Sequence, residues 1–233
     1  LINRLSIGIQ SFKDNDLKYL NRAHDSKEAL YCIKKAQGVG FDNITIDLIY
    51  GIPVSTNELW KENLQQAFDL NVQHLSCYAL TIEEKTVFGN WLKKGKINAM
   101  EDDLVNEQFT YLMNESKING FEQYEISNFA KDDKLAYHNT NYWKGVKYLG
   151  IGPGAHSYNF DERQYNISDN AKYIQLINKN KSWYEKEKLS QQNKVNEYIM
   201  TSLRTKWGCD LNHLESAFSY PIQKYSTLIN EQV

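Results

Sequence analysis

The chain has 233 residues, 27 Lys and Arg against 29 Asp and Glu, a net charge of −2 and a pI near 6.3. That length suits one large domain or two small ones with a sizeable core, and the charge balance lacks the clustered basic surplus of a nucleic-acid-binding face. Mean hydropathy of −0.63, without any run approaching the roughly 18 apolar residues of a membrane span, excludes a transmembrane helical protein.

Three cysteines, Cys32, Cys77 and Cys209, are odd in number and far apart. They predict reduced thiols in a cytoplasmic protein, with neither a disulfide framework nor a CxxC metal pair. The sequence opens at Leu1 inside an apolar, strand-like run, with no initiator Met and no signal peptide, so a fragment of a longer protein is expected.

Residues Arg4 to Gln10 (RLSIGIQ) predict a short buried strand. A helix follows from about Ser26, the expected N-cap, to Gln37, with Gly38 and Gly40 as closing residues. NITIDLIYG, Asn43 to Gly51, is a second strand dense in β-branched residues. Leu59, Trp60, Leu64, Ala67 and Phe68 then recur at helical spacing within Ser55 to Leu70. HLSCYAL, His74 to Leu80, is a third strand. Strands and helices alternating at this spacing predict consecutive parallel βαβ units, and three strands alone would leave open edges.

Beyond Thr81 the pattern changes. A polar helix is expected from about Met100 to Lys117, then a Tyr-, Trp- and Gly-rich region with strand candidates in EQYEISNF, KYLGIGPG and HSYNF. A helical tail starts near Ala171, followed by helices over Lys194 to Lys206 and Leu211 to Phe218. The expected domains are 1–85, 86–187 and 188–233, the last incomplete, with the Asn- and Lys-rich stretch Asn178 to Lys188 as the main boundary.

Ligand sites of parallel α/β sheets lie at the carboxyl ends of the strands. Asp47 interrupts the apolar run Ile44, Ile46, Leu48, Ile49. An unpaired carboxylate buried there would be costly, so Asp47 is either a ligand contact or a structural Asp paired with Arg or backbone N–H groups. Gln10 ends its strand as a ligand contact or a turn-stabilising amide. Arg22 offers a planar fork for a carboxylate, or is a solvated surface residue. In HNTNYW, His138 could ligate a metal or haem iron beside the rings of Tyr142 and Trp143, or rest half-buried among core aromatics. GIGPGAHSY, Gly150 to Tyr158, lacks the strand-to-helix frame of a dinucleotide loop. Its His156 is a ligand or a buried hydrogen-bonding residue.

Taken in order, RLSIGIQSF, LNRAH, NITIDLIYGIP and HLSCYALTIE resemble the second half of the radical S-adenosylmethionine barrel of oxygen-independent coproporphyrinogen III oxidase-like proteins. YEISNFA, HNTNYW and YLGIGPGAHSY resemble the HemW branch, whose members are described as haem chaperones. The resemblance runs from Arg4 to about Glu215. It implies an α/β fold: the C-terminal half of a partial (β/α)6 barrel, then a smaller α+β region carrying HNxxYW, then a helical C-terminal section. It implies S-adenosylmethionine and a [4Fe–4S] cluster in the whole protein, with haem or porphyrin as ligand and haem-acceptor proteins as partners, and it allows a homodimer.

Residue by residue, Gln10, Arg22 and Asp47 match positions that contact S-adenosylmethionine, Arg22 lying 12 residues after Gln10 and Asp47 25 after Arg22. Thr81 and His156 match two further contact positions, where the oxidases carry Ala and Ile. His138, Tyr142 and Trp143 match the haem motif, with His138 as the implied iron ligand. The family's CxxxCxxC cluster loop has no counterpart in this sequence. The chain alone is therefore expected to be inactive in radical chemistry. Two functions follow for the whole protein: delivery of haem to acceptors, or oxidative decarboxylation of coproporphyrinogen III.

Overall fold

Short apolar runs and amphipathic helices alternate from Leu5 onward, and the chain folds in that order. β1 (Leu5–Gln10), α1 (Asp14–Tyr19), α2 (Ser26–Gly38), β2 (Ile44–Tyr50), α3 (Asn57–Asp69) and β3 (His74–Ala79) make the expected βαβ units, with β1 parallel to β2 and β2 parallel to β3. The computed structural model describes residues 2–98, 101–220 and 222. Two units divide the chain, one ending at Leu135 and one starting at Ala136.

The first unit continues with α4 (Val87–Lys93), α5 (Asp102–Ile118), β4 (Glu122–Gln123) and β5 (Asn128–Ala130). Strand β5 runs antiparallel to both β3 and β4, so the sheet order is β1-β2-β3-β5-β4 and the sheet stays open. The predicted start of the third long helix at Met100 lies outside the described residues. EQYEISNF supplies β4 and the start of β5 around a turn.

Helix α2 is capped by Asp25, not by Ser26 as expected. The Asp25 carboxylate accepts the Glu28 N–H at 2.8 Å and the Glu28 carboxylate accepts the Asp25 N–H at 3.0 Å. This reciprocal pair satisfies two amide donors at the helix start, which a serine one residue later cannot do.

Strand side chains alternate between faces, and that period divides the sheet. Ile9, Ile44, Ile46, Leu48, Leu75, Cys77 and Phe129 are buried with Ala29 and Ile33 of α2, Trp60, Leu64 and Ala67 of α3, and Leu112 of α5. The Trp60 indole N–H finds the Gln108 carbonyl at 3.1 Å, which satisfies the polar atom of that core ring. The opposite face carries Ser6, Gly8, Asp47, Ser76 and Asn128.

The second unit comprises α6 (Tyr137–Trp143), β6 (His156–Tyr158), β7 (Glu162–Asn166), α7 (Asn170–Asn178), β8 (Tyr184–Lys188), α8 (Gln191–Ser202) and α9 (Leu211–Phe218). β6, β7 and β8 form an antiparallel sheet in that order. KYLGIGPG is not the strand its composition predicts. Only Tyr148 bridges to Tyr158, and Gly150 then lies so close to the His156 backbone that a Cβ would stand 2.1 Å from its carbonyl oxygen. The stretch 178–188 holds the end of α7 and all of β8. Among the described residues no helix is long and apolar enough to cross a membrane.

Candidate functional site

Two of the candidate residues of the first unit, Gln10 and Asp47, come together on the polar face of the sheet near the carboxyl end of β1; Arg22 and Thr81 lie in exposed loops instead. The β1–β2 register slips between Ile7, opposite Ile46, and Gln10, opposite Leu48. One extra residue is therefore accommodated in β1 as a bulge, which re-aims the side chain that follows. Gln10 takes φ of 67°, a left-handed conformation that costs a non-glycine residue about 1 kcal/mol or more. The amide folds back over Gly8: a Cβ at Gly8 would stand 2.6 Å from Gln10 Nε2 and 3.6 Å from Asp47 Oδ2. The Gln10 amide and the Asp47 carboxylate thus both lie over Gly8.

Asp47 is half-buried. Burial raises its carboxyl above the usual range, and the hydroxyls of Ser76 and Ser6 lie within hydrogen-bonding reach. Ser76 is the register partner of Asp47 on β3, and Asn128 is the register partner of Ser76 on β5. The Ser76 hydroxyl donates to Asn128 Oδ1 at 2.7 Å, and the Asn128 amide donates to the Glu125 carboxylate. Tyr78, 43% exposed, lies on the same face of β3 as Ser76, and burial raises its hydroxyl pKa. A row of hydrogen-bonding groups thus crosses three strands.

Arg22 lies after α1, exposed to solvent. Its loop is held to β1 by His24, whose Nε2 sits 3.1 Å from the Ile9 carbonyl. The residues just after Gln10 are fixed from below. The Phe12 N–H donates to Asn63 Oδ1 at 2.7 Å, and the Ser11 hydroxyl donates to the buried Asp16 carboxylate at 2.7 Å. Thr81 follows β3 and is exposed.

In the second unit, HNTNYW winds into α6, a full turn that brings His138 and Tyr142 to one side. His138 is exposed; Tyr142 O–H meets its Nε2 at 3.3 Å, and the rings stand edge to face at 5.1 Å. Tyr142 packs on Tyr148 at 4.7 Å, Tyr148 faces Tyr158 at 6.0 Å, and Tyr158 packs on Phe160 at 5.7 Å. These rings form one wall of a cavity of about 840 Å³, a size proper to a cofactor. Trp143, Trp207 and Phe218 also line it, with Lys144, Lys194, Arg163 and Glu197. His156 opens β6, exposed, with its ring against Tyr165 at 4.8 Å.

Over Gly8 the face offers a ligand one amide donor, Gln10 Nε2, and one carboxylate acceptor, Asp47 Oδ2. The cysteines do not fit an iron–sulfur cluster. Cys32 is exposed on α2, Cys209 lies in the second unit, and Cys77 faces the apolar core, where burial pushes its thiol up. Among the described residues no three His, Cys, Asp or Glu side chains group to hold a metal.

Sequence reasoning singled out Asp47 and Gln10 but not their neighbours on the same face, Ser6, Ser76 and Asn128, nor Glu125 beyond them. The signal available was small polar residues at alternate positions of β1 and β3 on the face of Asp47.

No family model matches the chain. It is 34% identical over 208 residues to the heme chaperone HemW of Bacillus subtilis, covering 89% of this chain and 55% of that protein. It is 41% identical over 157 residues to the heme chaperone HemW of Escherichia coli, covering 66% of this chain and 40% of that protein. A mouse mitochondrial protein, radical S-adenosyl methionine domain-containing protein 1, matches at 39% over 155 residues, 66% of this chain and 35% of its own. Among solved structures, coproporphyrinogen III oxidase (HemN) from Escherichia coli, a radical SAM enzyme, superposes with a TM-score of 0.77. That match covers 96% of this chain and 54% of the oxidase at 23% identity. The chain thus spans little more than half the length of the Bacillus relative and of the oxidase, and the shared architecture is that of the radical SAM fold.

Proposed function

The chain belongs to the HemW-type radical S-adenosylmethionine proteins, and from that premise we propose that the whole protein binds haem and passes it to haem-requiring acceptor proteins in the cytoplasm. The observation that carries this reading is the ring-walled cavity of the second unit, with Tyr142 and Trp143 of HNTNYW in its lining. A porphyrin is a flat apolar plate with carboxylates along one edge. Tyrosine and tryptophan faces stack on such a plate, and Lys144, Lys194 and Arg163 offer its carboxylates charge-assisted hydrogen bonds. His138 is not among the residues that line the cavity; it stands one helical turn from Tyr142, which does, and would give its Nε2 lone pair to iron once the Tyr142 hydroxyl turns aside.

Gln10, Arg22 and Asp47 would hold S-adenosylmethionine, with the Arg22 fork on the methionine carboxylate and the other two on its hydroxyl or amino groups. Bound there, that molecule supplies radical chemistry; the chain binds and orients it. Thr81 and His156 enter this set through the family pattern alone. The likeness to coproporphyrinogen III oxidase, at 23% identity, is a likeness of fold and does not favour decarboxylation.

Haem titration of the chain, followed at the Soret band beside His138→Ala, tests the reading. Saturable binding near one equivalent, weakened about tenfold or more in the variant, is expected, since a factor of ten corresponds to about 1.4 kcal/mol. Equal affinity in both proteins overturns His138 as the ligand. No saturable binding overturns the placement of the haem site in this unit.

A further inference from the structure

The cavity of the second unit holds a histidine that the HNTNYW motif does not supply. Of the five histidines in the chain, His213 is the one in its lining. It stands in the first turn of α9, where the Asp210 carboxylate accepts the Asn212 N–H at 2.9 Å and the His213 N–H at 3.3 Å. The Tyr198 hydroxyl accepts the Asp210 N–H at 3.1 Å, which ties that helix cap to α8. The imidazole is held by rings. It tilts on Tyr198 at 4.9 Å and meets Phe218 edge to face at 5.5 Å, and both rings line the same cavity. Among the described residues no hydrogen bond occupies a ring nitrogen of His213, whereas His138 Nε2 meets the Tyr142 hydroxyl at 3.3 Å. The His213 side chain is exposed, so a ligand reaches it without displacing the core.

We propose that His213 is a second haem-iron ligand, giving a ring-nitrogen lone pair to the iron from the α9 side of the cavity. This rests on the reading that haem occupies the cavity, and it adds to His138 a ligand from outside the motif. Iron held by the four pyrrole nitrogens keeps two axial positions, and a neutral imidazole suits either of them. Other groups in the lining are already engaged. The Glu197 carboxylate takes the Arg163 guanidinium at 2.7 Å, and the Tyr198 hydroxyl takes the Asp210 N–H. Met200 of α8 also lines the cavity and offers a thioether as the rival donor. The Asp210 cap and the two flanking rings set the His213 backbone and ring in advance, so less freedom is lost when iron is bound.

Haem titration of the whole chain, with absorption and electron paramagnetic resonance spectra of the ferric complex, tests the proposal beside His213→Ala, His213→Gln and Met200→Leu. The parent is expected to hold low-spin iron with both axial positions filled. Each His213 variant should bind haem about tenfold more weakly and turn high-spin, while Met200→Leu should match the parent. His213→Gln keeps a polar side chain at the helix start and supplies the reading if the alanine variant fails to fold. Free imidazole should return His213→Ala to the low-spin form by taking the vacated position. A high-spin parent, or a spectrum and affinity indifferent to His213, overturns the proposal. So does a low-spin form lost in Met200→Leu instead, or a weakened His213→Ala that ignores imidazole, which would mark lost packing. Saturable binding with any of these results removes His213 alone and leaves the haem reading standing. A parent that takes up no haem overturns that reading, and this ligand with it.

Discussion

The two units bury their apolar groups in different ways. The first closes a continuous core of Ile, Leu, Val and Phe side chains between one sheet face and three helices. The second fully buries few aliphatic side chains, Leu189, Val195 and Leu214 among them, and arranges its rings edge to face around a void instead. Close packing makes a rigid platform on which polar groups can be set to fractions of an ångström. A ring-walled void leaves contact surface unspent, available to a plate-shaped ligand. One unit is built to position, the other to accommodate.

The largest effect that would sharpen this contrast is truncation in the first core. Leu48→Ala removes a side chain with no exposed surface and is expected to cost about 2–5 kcal/mol in denaturant unfolding. A loss under 1 kcal/mol would mean the platform is not close-packed.

Acid comes next. His74 is buried under β5 with its Nε2 2.8 Å from the Tyr124 hydroxyl, and burial, with the Arg4 charge, holds its pKa down at about 3. The folded ring stays neutral while the unfolded ring takes a proton below about pH 6.5. Stability is therefore complete above that value and declines as pH falls from about 6.5 toward 3, by about 1.4 kcal/mol per unit. Unfolding curves across that window should show the slope, and His74→Gln should flatten it. A slope that survives the substitution would locate the acid sensitivity elsewhere.

In the second unit the expected response is to ligand rather than to heat. Trp207→Ala removes one cavity wall and should weaken haem about three- to tenfold, with little change in the unfolding midpoint. A cooperative loss of structure would show that the rings form a core after all. The smallest effect is at Ile151, which is 86% exposed. Ile151→Ala should stay within about 0.5 kcal/mol of the parent in the same assay.

Much of the first unit was legible in sequence because alternation with period 2 and helical spacing are local signals. Asp47 stood out for the same reason, a charge inside an apolar run. The row that extends from it did not. Serine at alternate strand positions reads as an ordinary solvent face, and Asn128 and Glu125 are brought there by antiparallel pairing of segments some 50 residues apart. Gln10 was legible as a residue type at a strand end. Its turn back over Gly8 was not, because it depends on a bulge that only the register reveals. In the second unit HNTNYW was visible as a motif, while the cavity beside it needs Trp207 and Phe218, whose approach is a product of tertiary packing.

Arg4 adds a consequence for synthesis. Its guanidinium donates to the Lys134 carbonyl at 3.0 Å and the Leu135 carbonyl at 3.3 Å, and to Asn43 and Thr45 on the way. The first strand is thereby buckled to the last residues of its own unit across 130 positions. The entropy of closing so long a loop rises only logarithmically with length, but its timing is strict. On the ribosome, where chains emerge at about 5–20 residues per second, β1 and β2 are exposed many seconds before their clasp exists. Until Leu135 clears the exit tunnel these four hydrogen bonds cannot all form.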